Sequence, residues 1–268
     1  MDYSRLQILG IGGWLALILG GMFCDAALLL RLRRPLRGAD RRFRAIAQRP
    51  VKGRDLVLVT VLFVGATTLS SVLTAGRGMG WQIVVNTVSF HWMVLLFMPA
   101  YYRLRRTRWE TLFGPTAGSA YAAGLLAYLA AVPVILIHSA AVRALLRLVG
   151  ITPTVQPVVE LLSKHPPAPT FVYLILVGCV IAPVAEEIYF RGLLLPLLMR
   201  GITPFGGIIA CSLIFAAVHM HLTSAPALFV VALACSAVYI STGSLMAAIV
   251  THAVFNMVNI LLALLLAQ

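Results

Sequence analysis

Two adjacent carboxylates, Glu186 and Glu187, stand inside a run that is otherwise almost wholly apolar from Phe171 to Met199. An ionised side chain at the centre of a bilayer costs roughly 2.5–3.5 kcal/mol on insertion scales. Two of them together need a local reason. Arg191 supplies one for Glu187, because residues four apart on a helix share a face and pair. Glu186 is turned about 100° away by helix geometry and must face something else. The polar candidates around it are few. His219 closes the run Phe215-Ala-Ala-Val-His219, and His252 and Asn256 lie four apart on one helix face. Ionisable groups within a bundle face its interior and pair with one another. Glu186, His219, His252 and Asn256 are therefore expected to line one cavity, with Glu187 and Arg191 in support.

That set suits one kind of chemistry. A carboxylate beside a histidine takes a proton from water, and a second histidine with an amide donates hydrogen bonds to an oxyanion. Together they are an apparatus for hydrolysing an amide. The same residues also offer a divalent-metal set, Glu186, His219 and His252 with Asn256 or water, for an ion such as zinc. The sequence does not separate the two mechanisms. Other intramembrane hydrolases are disfavoured: there is no H-E-x-x-H helix and no G-x-S-x-G, and the aspartates (Asp2, Asp25, Asp40, Asp55) all precede the last four apolar segments. His221 is expected at a solvated interface, Tyr189 is expected to pack or anchor, and His91 and His138 show no partner at helical spacing.

The elements that must position these residues are transmembrane helices. The chain has 268 residues, of which 61% are hydrophobic and only 11% charged, against about 25% charged in a soluble domain. The acidic residues after Glu110 are Glu160, Glu186 and Glu187 alone. A net charge of +13 could suggest nucleic acid. The excess sits instead in two clusters beside apolar segments, Arg31 to Arg54 and Arg103 to Arg108, as in cytoplasmic loops. A span needs about 20 apolar residues, and eight segments qualify: 6–30, 56–75, 81–100, 118–138, one from 169 toward 200, 203–220, 225–240 and 244–267. The fold class is all-α, a polytopic bundle with both termini outside by the positive-inside rule. The first segment is expected to be a retained span, not a cleaved leader. Cys24, Cys179, Cys211 and Cys235 fall within apolar segments at no zinc or redox spacing.

The domain reading is 1–138 for four N-terminal spans, 139–168 for a proline-rich connector with a candidate surface helix around 142–149, and 169–268 for a four-helix core. Depth constrains the core. Glu186 comes level with His219 only if the fifth span continues to about Leu198, bending at Pro183 or Pro196. The basic loops are expected to favour an anionic membrane surface around the entrance.

Glu186-Glu-Ile-Tyr-Phe-Arg191, Phe215-Ala-Ala-Val-His219 and His252-Ala-Val-Phe-Asn256 resemble, in order and spacing, the E-E-x-x-x-R, F-x-x-x-H and H-x-x-x-N motifs of the CPBP family (CAAX protease and bacteriocin-processing, also called Abi). The resemblance covers about the last hundred residues. It implies a glutamate-dependent intramembrane endopeptidase that needs no cofactor, with a divalent metal as the alternative. By motif position Glu186 would be the general base, His219 would help to activate water, and His252 and Asn256 would stabilise the oxyanion. The implied partners are a membrane-associated peptide or protein substrate and the lipid bilayer, without nucleic acid. The expected location is integral to a membrane, a bacterial cell membrane. Two rival readings are a non-catalytic immunity or scaffold protein and a proton-coupled transporter; the transporter would favour internal repeats, and none is visible.

Overall fold

The computed structural model describes residues 19–22, 39–104, 106, 108, 112–116 and 118–266. Every regular element among them is a helix. The span expected over 6–30 lies outside these residues except for 19–22, as do both chain ends.

In chain order the helices are α1 (Ala39–Ala47), α2 (Gly53–Leu73), α3 (Met79–Thr87, a wide turn Val88–Trp92, then Met93–Leu104), α4 (Gly118–Leu148) and α5 (Pro157–Ser163). They are followed by α6 (Ala168–Gly201), α7 (Pro204–Val218), α8 (Ala225–Thr242) and α9 (Leu245–Leu266). α2, α3, α4, α6, α8 and α9 are long and apolar enough to cross a membrane. Val57, Val61, Val64, Leu69 and Val72 of α2 point outward, exposed. Such a stripe would be a liability in water and is ordinary against lipid. The chain is an integral membrane protein.

Two expectations need correction. The fourth span does not end at His138. α4 runs 31 residues to Leu148, because no proline or glycine stands between Pro133 and Gly150 to stop it. The candidate surface helix around 142–149 is therefore the end of α4, and the connector shortens to the stretch that holds α5. The sixth span is also shorter than expected. α7 has 15 residues, about 22 Å at 1.5 Å per residue, against about 30 Å of hydrocarbon. It starts at Thr203, whose side chain accepts from the Gly206 N–H, and ends at His219.

This short helix resolves the depth problem. α6 continues unbroken to Gly201, as the sequence required, and turns directly into α7. Glu186 and His219 then lie about equally far from that turn, roughly 22 Å along antiparallel neighbours, and so come level. The hairpin is tight because Gly207 has no side chain; a Cβ there would stand 2.7 Å from the Met199 backbone nitrogen.

α8 packs against α4, α7 and α9, and α9 packs against α4 and α6. Small residues bring the backbones together. A Cβ at Gly124 of α4 would meet the Ala247 carbonyl of α9 at 2.5 Å, and Thr251 Oγ1 donates to the Gly124 carbonyl at 3.0 Å. One end of the bundle is tied by basic side chains: Arg49 donates to the carbonyls of Leu112 and, at 2.8 Å, Gly243, and Arg200 donates to Val51 O at 2.5 Å. The other end carries the connector, whose Thr154 meets His221 and Thr223 of the α7–α8 loop.

Candidate active site

α6 is not a uniform helix. Wide π turns cover Val177–Ile181 and Ile188–Leu194, and each precedes a proline, Pro183 and Pro196. A proline ring clashes with the carbonyl four residues back and removes an N–H. Widening the turn relieves the clash and rotates the face beyond it. The two carboxylates sit between these turns. Pro183 cannot serve the carbonyl five residues back, Gly178, and Asn256 Nδ2 of α9 donates to that oxygen at 2.8 Å. The proline thus sets where α9 docks.

The two carboxylates have opposite surroundings. Glu187 is fully buried. Its Oε1 accepts from Arg191 Nη1 at 2.8 Å and from His252 Nδ1 at 2.9 Å. Arg191, also fully buried, donates through Nη2 to the Ala232 carbonyl of α8 at 2.8 Å and lies 5.0 Å over the Phe215 ring. A buried charge persists only when paired and hydrogen-bonded in this way.

Glu186 faces a cavity of about 600 Å³, which His91, His219, His252 and Asn256 also line. Its Oε2 is buried and makes no hydrogen bond among the described residues. His219 Nε2 and His252 Nε2 stand 3.8 and 3.9 Å from that oxygen. The tautomers follow from the partners. His219 Nδ1 lies 2.7 Å from the Phe215 carbonyl, which can only accept, so Nδ1 carries the hydrogen and Nε2 presents its lone pair. His252 Nδ1–H likewise donates to Glu187 Oε1.

The structure brings Glu186, Glu187, Arg191, His219, His252 and Asn256 together, as their spacing implied. It adds His91, which showed no partner in the sequence. His91 Nε2 lies 3.3 Å from Glu186 Oε1, across a sequence separation that no helical spacing reports. The available signal was the residue itself, an ionisable group in mid-span. Tyr189 anchors, as expected: its hydroxyl bonds Thr60 Oγ1 of α2 at 2.7 Å. His221 bonds Ser224 Oγ and Thr154 Oγ1 and stands apart from the site. His138 bonds the Val134 carbonyl on the exposed side of α4.

The cavity lining differs from expectation. Beyond the site residues it includes Arg143, Arg147, Thr154, Gln156 and Thr223, toward the connector end of the bundle. The basic loops around Arg49 and Arg200 lie at the opposite end and do not line it.

The imidazoles and Glu186 are the donors a metal would use. Among the described residues, however, no group of three or more His, Cys, Asp or Glu is arranged to hold an ion. The imidazole nitrogens on the Glu186 Oε2 side, His219 Nε2 and His252 Nε2, stand 3.8 and 3.9 Å from it.

A family model described as type II CAAX prenyl endopeptidase Rce1-like matches residues 168–258. Comparison with curated proteins found no match, and comparison with solved structures found none. The matched stretch carries every side chain of the site except His91, and over that stretch the chain is similar to this family.

Proposed function

We propose that this protein is an intramembrane endopeptidase that hydrolyses a peptide bond of a membrane-associated protein or peptide, with Glu186 as its base. One observation carries the reading: a buried carboxylate oxygen without a hydrogen-bond partner, flanked by two imidazole Nε2 atoms, at the wall of a cavity large enough for a peptide segment.

A water held between Glu186 Oε2 and His219 Nε2 donates one hydrogen to each. Glu186 takes a proton as the water oxygen attacks the scissile carbonyl carbon. The developing oxyanion accepts hydrogen bonds from Asn256 Nδ2 and from His252 carrying a second proton on Nε2. Glu187, on Nδ1–H of the same ring, balances that charge. Collapse breaks the carbon–nitrogen bond, and Glu186 returns its proton to the leaving amine. Lipidation of the substrate is not part of the proposal.

The test compares peptides released from a membrane peptide library by wild-type and Glu186→Gln membranes, by mass spectrometry. Peptides released by wild type and missing from the variant support the reading; an unchanged set sinks it. Treating the purified protein with a zinc chelator should leave the wild-type rate unchanged. A rate lost to chelation and restored by zinc would favour the metal mechanism through Glu186, His219 and His252.

A further inference from the structure

His91 comes from α3, outside the residues that the family model matches. It is 8% exposed and sits in the wide turn Val88–Trp92. Its Nδ1 is 2.7 Å from the Thr87 carbonyl, so Nδ1 carries a hydrogen. Phe90 meets the ring edge-on, with centroids 5.1 Å apart, and Phe90 is itself wedged between Phe63 and Tyr189. The ring is therefore fixed from its backbone side and its flank. Its free nitrogen is aimed at Glu186 Oε1, 3.3 Å away.

With Nδ1 already donating, a bare Nε2 lone pair and a carboxylate oxygen would repel at that distance. The contact is attractive only with a proton between them. That hydrogen bond holds Oε1 and stops the carboxyl group from turning about its last torsion, which is otherwise broad and roughly two-fold. Oε2 is then the oxygen left facing His219 and His252.

We infer that His91 is a positioning residue of the active site: it clamps Oε1 of Glu186 and presents Oε2 to the water. The inference rests on Glu186 being the base. It makes α3 part of the working site, so the matched region does not build that site alone.

The test uses the full chain in detergent and a peptide whose release depends on Glu186. His91→Leu removes the hydrogen bond. His91→Gln restores an N–H within reach of Oε1. Both are first checked for an unchanged thermal unfolding midpoint. His91→Leu should lower kcat roughly 100-fold, the cost of a slightly misplaced catalytic group, and leave KM nearly unchanged. His91→Gln should recover most of that loss. Equal losses in the two variants, a loss confined to KM, or wild-type kcat in His91→Leu would each overturn the inference.

A second readout needs neither substrate nor a folded His91 variant. In protein carrying 15N-labelled histidine, with the His91 ring assigned through its contact with Phe90, Glu186→Gln should move the His91 Nε2 resonance while its Nδ1 stays in the N–H state with its signal unmoved. No such movement overturns the clamp. If the resonance moves and no peptide is released by wild type, the clamp stands as geometry and the protease reading falls by itself.

Discussion

The two faces of α6 carry the same side chain one residue apart and use it in opposite ways. On the dry face, Glu187 is packed against α8 and α9, held through Oε1 by Arg191 and His252, and closed to solvent. On the cavity face, Glu186 lines the cavity with three imidazoles around it; each carboxylate keeps an Oε2 without a hydrogen bond among the described residues, but only that of Glu186 lies at the cavity. The contrast teaches that a carboxylate pair inside a membrane can divide its work. In the proposed reading, one member holds helices together and the other serves as the base. The division follows from about 100° of helix rotation, from an arginine four residues on, and from a wide turn on either side.

The comparison predicts which face loses rate and which loses stability. The largest effect is expected at Glu186→Gln. It should cost about 1,000-fold or more in kcat, about 4 kcal/mol of barrier, with the unfolding transition unmoved in a thermal melt. Arg191→Leu should do the reverse in kind. It strands a buried Glu187 charge, and removing one partner of a buried pair costs about 3–5 kcal/mol, read as a lowered denaturation midpoint in detergent. If Arg191→Leu melts like wild type, the dry face is not holding the fold. Asn256→Ala should lower kcat by about 100-fold, the effect of one lost oxyanion donor, measured on a Glu186-dependent peptide. It should also lower stability slightly, because the Gly178 carbonyl loses its partner. The smallest effect is expected at Tyr189→Phe, which removes one hydrogen bond to Thr60 and costs about 1 kcal/mol of stability with the rate unchanged.

Residue spacing carried much of this site. Glu187 with Arg191 and His252 with Asn256 are one helical turn apart, so their shared faces were legible. The continuation of α6 past Phe190 was legible too, because only that length brings Glu186 level with His219. What spacing could not carry was contact between distant helices. His91 reaches Glu186 only because α3 packs beside α6, and nothing local to His91 reports that. The wide turns before Pro183 and Pro196 were visible only as candidate bends, since proline states the problem but not how the backbone solves it. The length of α7 was not legible either. Its apolar run reads on to Met220, but the helix ends at Val218, where His219 caps it and Met220 turns to a positive φ. The end of α4 lay beyond the expected His138 because nothing in the backbone there required a stop.

The central claim is that water, activated at Glu186, splits a peptide bond within the bilayer. The most direct measurement is oxygen-isotope incorporation, with purified protein in liposomes, a Glu186-dependent peptide and water enriched in oxygen-18. Hydrolysis places the heavy oxygen in the newly formed carboxyl terminus. The account predicts that label in products of the wild-type protein and none above background with Glu186→Gln. Equal labelling by the variant, or products without label, would contradict it.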